Sequence, residues 1–128
     1  MTMTAKIWGT TECLLPEPNC EVHRLHIKPW FRCSHHRHHG KANFFYVVSG
    51  RLFVDVWRAD DQGFDELAIG PGEAMTVPAG VAHRFRSGDQ PCEALEIYYH
   101  EPLAEDIERF DQGGRVDMAE RAVEHHHV

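Results

Sequence analysis

Four histidines fall within five residues at Ser34-His35-His36-Arg37-His38-His39-Gly40. Neutral imidazole is the commonest side-chain ligand for transition metals, so the first question is which of these rings can converge on one ion. On an extended segment successive side chains alternate between faces, and a pair at i, i+2 shares one of them. His36 and His38 form such a pair and present two ligands to one point. His35 and His39 have the opposite parity and read as outward-facing bystanders. A further histidine, His83, ends a second pattern: Gly72, five residues, Pro78-Ala79-Gly80, two residues, His83. The Pro-x-Gly turn sets where the next strand begins, and so where His83 points.

Other side chains could serve the same chemistry. Glu96 and Tyr98 share one face of a strand; if that face looks inward they are candidate acid/base groups, and structural hydrogen bonding is the alternative. Arg37, Arg84 and Arg109 could meet a phosphate, with a solvated rim as the plainer reading. Phe85 shares the parity of His83 and would wall a pocket. Cys13, Cys20, Cys33 and Cys92 have no close pairing and read as reduced thiols, without the paired spacings of a zinc knuckle. Cys33, just before the histidine run, is the one of interest.

The elements that must position these groups are short strands broken by turns. Residues 1–20 read as a loop-like N-terminal arm, punctuated by Pro16-Glu17-Pro18. Strands are expected at 21–27, 30–38, 43–49, 51–58, 64–69, 74–77, 82–86 and 92–99, separated by Gly, Pro, Asp and Ser clusters. Leu103, Ile107 and Phe110 recur at i, i+4, i+7 and predict a short amphipathic helix over 103–110. About eight strands with no βαβ rhythm argue for an all-β sandwich or barrel occupying 21–115. Residues 116–128 form a tail, whose His125-His126-His127 is set apart from the site. The aromatic set Phe44, Phe45, Tyr46, Phe53 and Trp57 reads as core, or as subunit contact where its second face is exposed.

Composition excludes several classes. The chain has 128 residues, 42% of them hydrophobic, and a net charge of −7 with no long Lys/Arg run. That argues against nucleic-acid binding, which needs a basic face. Apolar runs such as Phe44-Phe45-Tyr46-Val47-Val48 are far too short to span a bilayer, so no membrane partner is expected. No signal peptide is read at Met1-Thr2-Met3-Thr4, and a cytoplasmic location is expected.

The two histidine patterns resemble the paired motifs of the cupin superfamily. Its first runs His-x-His, three or four residues, Glu, six residues, Gly; its second runs Gly, five residues, Pro-x-Gly, two residues, His, three residues, Asn. His36, His38 and Gly50 match the first, and Gly72, Pro78, Gly80 and His83 the second. Asn43 stands where the superfamily has its ligand Glu, and Ser87 at the final Asn. Val77 to Arg84, Leu95-Glu96-Ile97 and Glu105 to Arg115 are similar to the C-terminal part of type II phosphomannose isomerases, extending the resemblance over residues 28 to 115. It implies an antiparallel jelly-roll β-barrel (a double-stranded β-helix), here with the short C-terminal helix. It also implies a divalent metal held by Gln, two His and Glu, and aldose–ketose interconversion of a sugar phosphate. Ser34 occupies about the place of the Gln.

Three neutral imidazoles with one carboxylate leave +1 on a divalent ion; with Asn43 in place of Glu the site keeps +2. Asn43 then either ligates weakly through its carbonyl oxygen or stands aside. The expected metal is Zn, Fe, Ni, Mn or Cu, since a three-histidine set does not choose among them. Three functions follow as expectations. The first is a metal-dependent isomerase or epimerase acting on a small polar or sugar-phosphate substrate, with Glu96 or a bound water moving the proton. The others are a three-histidine Fe(II) dioxygenase, and a non-catalytic binding or sensing module for a small molecule. Strands bulky on both faces predict a homodimer.

Overall fold

The computed structural model describes residues 2–100 together with Phe110, Gln112 and Arg115. The described chain is built from nine strands: β1 (Thr2–Lys6), β2 (Gly9–Pro16), β3 (Cys20–Ile27), β4 (Lys41–Ser49), β5 (Leu52–Arg58), β6 (Gly63–Ile69), β7 (Ala74–Val77), β8 (His83–Arg86) and β9 (Cys92–His100). They make a six-stranded antiparallel sheet in the order β1-β2-β3-β9-β4-β7 and a three-stranded sheet in the order β6-β5-β8. The architecture is the expected all-β jelly-roll barrel. The expected helix over 103–110 lies outside the described residues but for Phe110, and the tail at 116–128 lies wholly outside them.

Inward-facing residues follow the period of two that a half-buried strand requires. Phe45 and Val47 of β4, Leu25 and Ile27 of β3, and Ala94 of β9 face Leu52 and Val54 of β5, Ile69 of β6 and Phe85 of β8 across the interior. At one end this filling is apolar; at the other it gives way to the histidines, and the barrel opens.

Two expectations need correction. Residues 1–20 do not form a loop-like arm: β1 and β2 extend the larger sheet, and β2 pairs with β3 from Gly9↔Ile27 to Pro16↔Glu21. Most of β2 is half-buried rather than alternately buried and bare, so it lacks the apolar alternation that marks a strand. Its start depends on Gly9, where a Cβ would lie 1.8 Å from the His26 carbonyl oxygen, so only glycine permits the approach. Second, residues 30–38 form no regular strand. They run beside β8 as an extended segment pinned at isolated bridges Arg32↔Arg86 and His36↔His83. Trp30 there adopts φ 63°, which interrupts a pleat. Buried Ser87 fastens the segment's start by accepting a hydrogen bond from the Phe31 amide at 3.2 Å.

The outer faces of the two sheets differ. On the smaller sheet Asp55, 1% exposed, accepts hydrogen bonds from Arg84 Nε at 2.9 Å and Arg86 Nε at 3.1 Å. Arg86 also donates to Glu66, and the two guanidinium groups lie over Phe64 and Phe53. This face closes on itself. The outward positions of β4 and β9 instead carry exposed Tyr46 and Val48 beside half-buried Phe44, Leu95 and Ile97. No helix among the described residues is long and apolar enough to cross a membrane.

Candidate metal centre

His36, His38 and His83 come together at the open end of the barrel. Each offers a ring nitrogen, and the three nitrogens lie within 4.8 Å of one another. Ring centroids are separated by 4.8 Å for His36–His83, 5.1 Å for His36–His38 and 6.1 Å for His38–His83. Backbone pairing sets this geometry. The His36 amide donates to the His83 carbonyl at 3.0 Å and the His83 amide returns the bond at 2.8 Å. The Gly80 amide donates to the His38 carbonyl at 2.7 Å. Gly80 has φ +83°, a conformation that L side chains rarely adopt, so the turn before β8 also ties down His38.

The hydrogen bonds decide which nitrogen of each ring is free. His36 Nδ1 lies 2.8 Å from the Ser34 carbonyl, and His83 Nδ1 lies 2.9 Å from the Val81 carbonyl. A carbonyl only accepts, so both Nδ1 atoms carry the proton and both Nε2 atoms present lone pairs. This is the outer hydrogen-bonding pattern that orients metal-binding histidines. Burial drives the His83 imidazole down to about 4 and lowers His38 as well, so both rings are neutral near pH 7, as ligands must be.

Asn43, on β4, is completely buried. Its Nδ2 donates to Glu96 Oε2 at 3.0 Å, while Tyr98 OH donates to Glu96 Oε1 at 2.7 Å. Because a carboxylate only accepts, Glu96 fixes the amide with its nitrogen toward itself and leaves Asn43 Oδ1 as a free acceptor. Asn43 Oδ1 and His83 Nε2 are buried acceptors without a partner, and His38 Nε2 is likewise buried and unpartnered. Orphaned acceptors of this kind are costly, and a cation is what would satisfy them together. The residues present therefore fit a divalent metal.

Glu96 also bears on the charge. Carboxylate at position 43 is absent, yet one stands a single hydrogen bond further out, on β9. Burial pushes the Glu96 carboxyl up to about 7, against the hydrogen bonds from Tyr98 and Asn43 that favour its ionised form. Burial and the neighbouring Glu96 raise the Tyr98 phenol far above its ordinary value, so it remains a proton donor.

A cavity of about 600 Å³ opens beside His36 and is lined by Glu96, Tyr98, Phe85, Cys33, Trp8 and Arg32 among others. Glu96 and Tyr98 thus lie on the inner face. His35 instead packs its ring against Trp57 and Phe64, and exposed His39 is not part of the ligand group. Arg84 is committed to Asp55, Arg37 is exposed, and Arg109 lies outside the described residues. Cys33 is buried beside the cavity, with its thiol pushed up to about 12 by desolvation. The cavity wall built by β1–β3 (Lys6, Trp8, Thr11, His23) is not evident from the sequence pattern, because β1 and β2 carry no strand signal beyond scattered threonines.

Comparison with known proteins matches a Cupin domain over residues 23–98. The xanthan biosynthesis protein XanB of Xanthomonas campestris pv. campestris is 31% identical over 106 residues, covering 81% of this chain and 21% of that protein. A mannose-1-phosphate guanylyltransferase of Escherichia coli is 28% identical over 111 residues, covering 84% of this chain and 22% of that protein. The chain thus spans about a fifth of the length of these relatives. Among solved structures, KdgF from Halomonas sp. superposes with a TM-score of 0.66 at 13% identity, covering 80% of this chain and 90% of that one.

Proposed function

This chain belongs to the cupin family, and from that premise we propose a metal-dependent isomerase or epimerase acting on a small sugar or sugar phosphate. The observation that carries the reading is the three-histidine group, with His38 Nε2 and His83 Nε2 buried and unpartnered, beside the hydrogen-bonded Glu96–Tyr98 pair. The residues that would hold the ion are His36, His38 and His83, with Asn43 through its oxygen. A divalent ion there supplies Lewis acidity toward a substrate carbonyl or hydroxyl. Glu96 is the group that takes and returns a carbon-bound proton, and Tyr98 and Asn43 hold its carboxylate in place through their hydrogen bonds. Phe85 and Trp8, edge to face at 5.0 Å, form the apolar wall. Lys6 and Arg32 line the same cavity and suit an anionic substituent such as a phosphate. The resemblance to type II phosphomannose isomerases, and a relative named for mannose 1-phosphate, support the sugar-phosphate class.

The test is elemental analysis of protein purified without chelator, followed by NMR of hexose and pentose phosphates in deuterated water. Deuterium entering the carbon next to the carbonyl is expected with wild type and is lost in His36→Ala/His83→Ala. Metal-replete protein that exchanges no proton on any of these sugars overturns the isomerase reading. A three-histidine donor set without a directly bound carboxylate favours one second reading, an Fe(II) dioxygenase, for which oxygen consumption by the iron-loaded protein is the diagnostic. A ligand that shifts the melting temperature without turnover would mark a binding module instead.

The same reading includes a homodimer in the cytoplasm. The self-closed ionic face of the smaller sheet leaves the apolar outer face of β4 and β9 for isologous pairing, and all four cysteines are unpaired. Light scattering on eluting protein reads the oligomeric state directly.

A further inference from the structure

Cys13, Glu21 and His23 form a second group of ligand type, on the inner wall of β2 and β3. Cys13 stands opposite His23 in the β2–β3 register. Glu21 precedes His23 by two residues and so shares its face; Leu25 and Ile27 continue that parity into the buried core. The three side chains are half-buried, and a sulfur, an oxygen and a nitrogen from them lie within 4.8 Å of one another.

The separations suit a bridging ion as well as a long hydrogen bond. His23 Nδ1 lies 3.2 Å from Thr11 Oγ1, and His23 Nε2 lies 3.4 Å from Glu21 Oε1. A charge-assisted N–H···O⁻ bond would close to about 2.8 Å. A nitrogen and an oxygen on one tetrahedral ion, each about 2.0–2.1 Å from it, stand about 3.3 Å apart. In the tautomer with the proton on Nδ1, donated to Thr11, the Nε2 lone pair faces the Glu21 oxygen, an arrangement that a cation between them stabilises. Lys41 Nζ, 3.6 Å from the other carboxylate oxygen, Oε2, leaves Oε1 to face the ring. The Cys13 thiol completes a sulfur–nitrogen–oxygen set suited to a borderline-soft ion, to which it would bind as thiolate with release of its proton.

We propose that Cys13, Glu21 and His23 bind a divalent ion such as zinc at a second site, with Thr11 orienting the histidine. The Tyr98 ring lies between the two groups, with centroids 5.6 Å from His23 and 5.2 Å from His38. An ion here fastens β2 to β3, the strands that bear one wall of the cavity.

Cobalt(II) titration of the metal-free full chain, under a non-chelating reductant, tests this. A thiolate-to-cobalt charge-transfer band is expected, saturating at one equivalent per chain. Neither the three-histidine centre nor the terminal histidines can give it, because they hold no sulfur. Cys13→Ser abolishes the band; His23→Gln weakens cobalt binding at least tenfold while keeping every thiol; His36→Ala/His83→Ala leaves the band intact. Absence of the band in wild type, its persistence in Cys13→Ser, or its appearance only at millimolar cobalt overturns the second site. Loss of the band in the double histidine variant overturns its independence from the first centre.

Discussion

Metal loading of the three-histidine centre should raise the melting temperature by an amount that follows from its unpartnered acceptors. His38 Nε2, His83 Nε2 and Asn43 Oδ1 are buried without partners, and each such atom costs about 1–3 kcal/mol. The metal-free fold therefore carries a penalty that an ion relieves and that the unfolded chain does not share. An ion bound to the native state alone contributes about 2.7 kcal/mol at a free concentration one hundred times its dissociation constant. A chain of 128 residues has a melting entropy of about 0.27 kcal/mol/K, so the expected rise is about 10 °C. The assay is paired thermal melts of chelator-stripped and reloaded protein, for wild type and His36→Ala/His83→Ala. Ions on the terminal histidines, which both proteins carry, contribute equally to both. An ion at Cys13, Glu21 and His23 shifts both proteins equally, so the difference between the two isolates the three-histidine centre. Equal rises in wild type and double variant would refute the reasoning.

Four other outcomes are expected. Glu96→Gln should retain its metal by elemental analysis and lose proton-exchange activity by about 10²–10⁴-fold; unchanged exchange would remove Glu96 from the chemistry. Phe85→Ala should cost about 3–5 kcal/mol in denaturant melts, because Phe85 is 3% exposed and packs edge to face against Trp8 and Phe45. Native protein at pH 8 should leave Cys33 and Cys92 unmodified by iodoacetamide. Their thiols are pushed up to about 12 and about 11, so thiolate is scarce until the pH rises toward those values, and the half-buried Cys20 should react first. Tyr46→Glu, on the exposed apolar face, should convert the proposed dimer to monomer in light scattering without lowering metal content.

The carboxylate missing at position 43 resolves into a relay between two strands. Read as sequence, Asn43 removes one negative charge from the ligand set and leaves the ion at +2. In the fold, β4 and β9 are neighbours, and the Asn43 amide reaches Glu96, 53 positions away. The fold thus places a carboxyl group one hydrogen bond beyond Asn43, on the neighbouring strand. Asn43 shares the inward parity of Phe45 and Val47 on β4.

What the sequence determined by itself was local. Turn residues at Gly50, Gly72 and Pro78-Ala79-Gly80 delimit β4, β5, β7 and β8, and the alternation on those strands marks their inner faces. Motif spacing selected His36, His38 and His83 from eleven histidines and left His35 and His39 outside. Tertiary structure decided whatever depends on a partner distant in the chain. Backbone carbonyls of Ser34 and Val81 chose the free nitrogen of His36 and His83; Glu96 chose the orientation of Asn43. Strand β2 exists because β3 offers it an edge, and β1 because β2 does; the half-buried residues on both faces of β2 and the exposed ones of β1 give no periodic signal of their own. Cys13, Glu21 and His23 meet for the same reason. Cross-strand register places together residues whose types and spacing, read along the chain, show no relation.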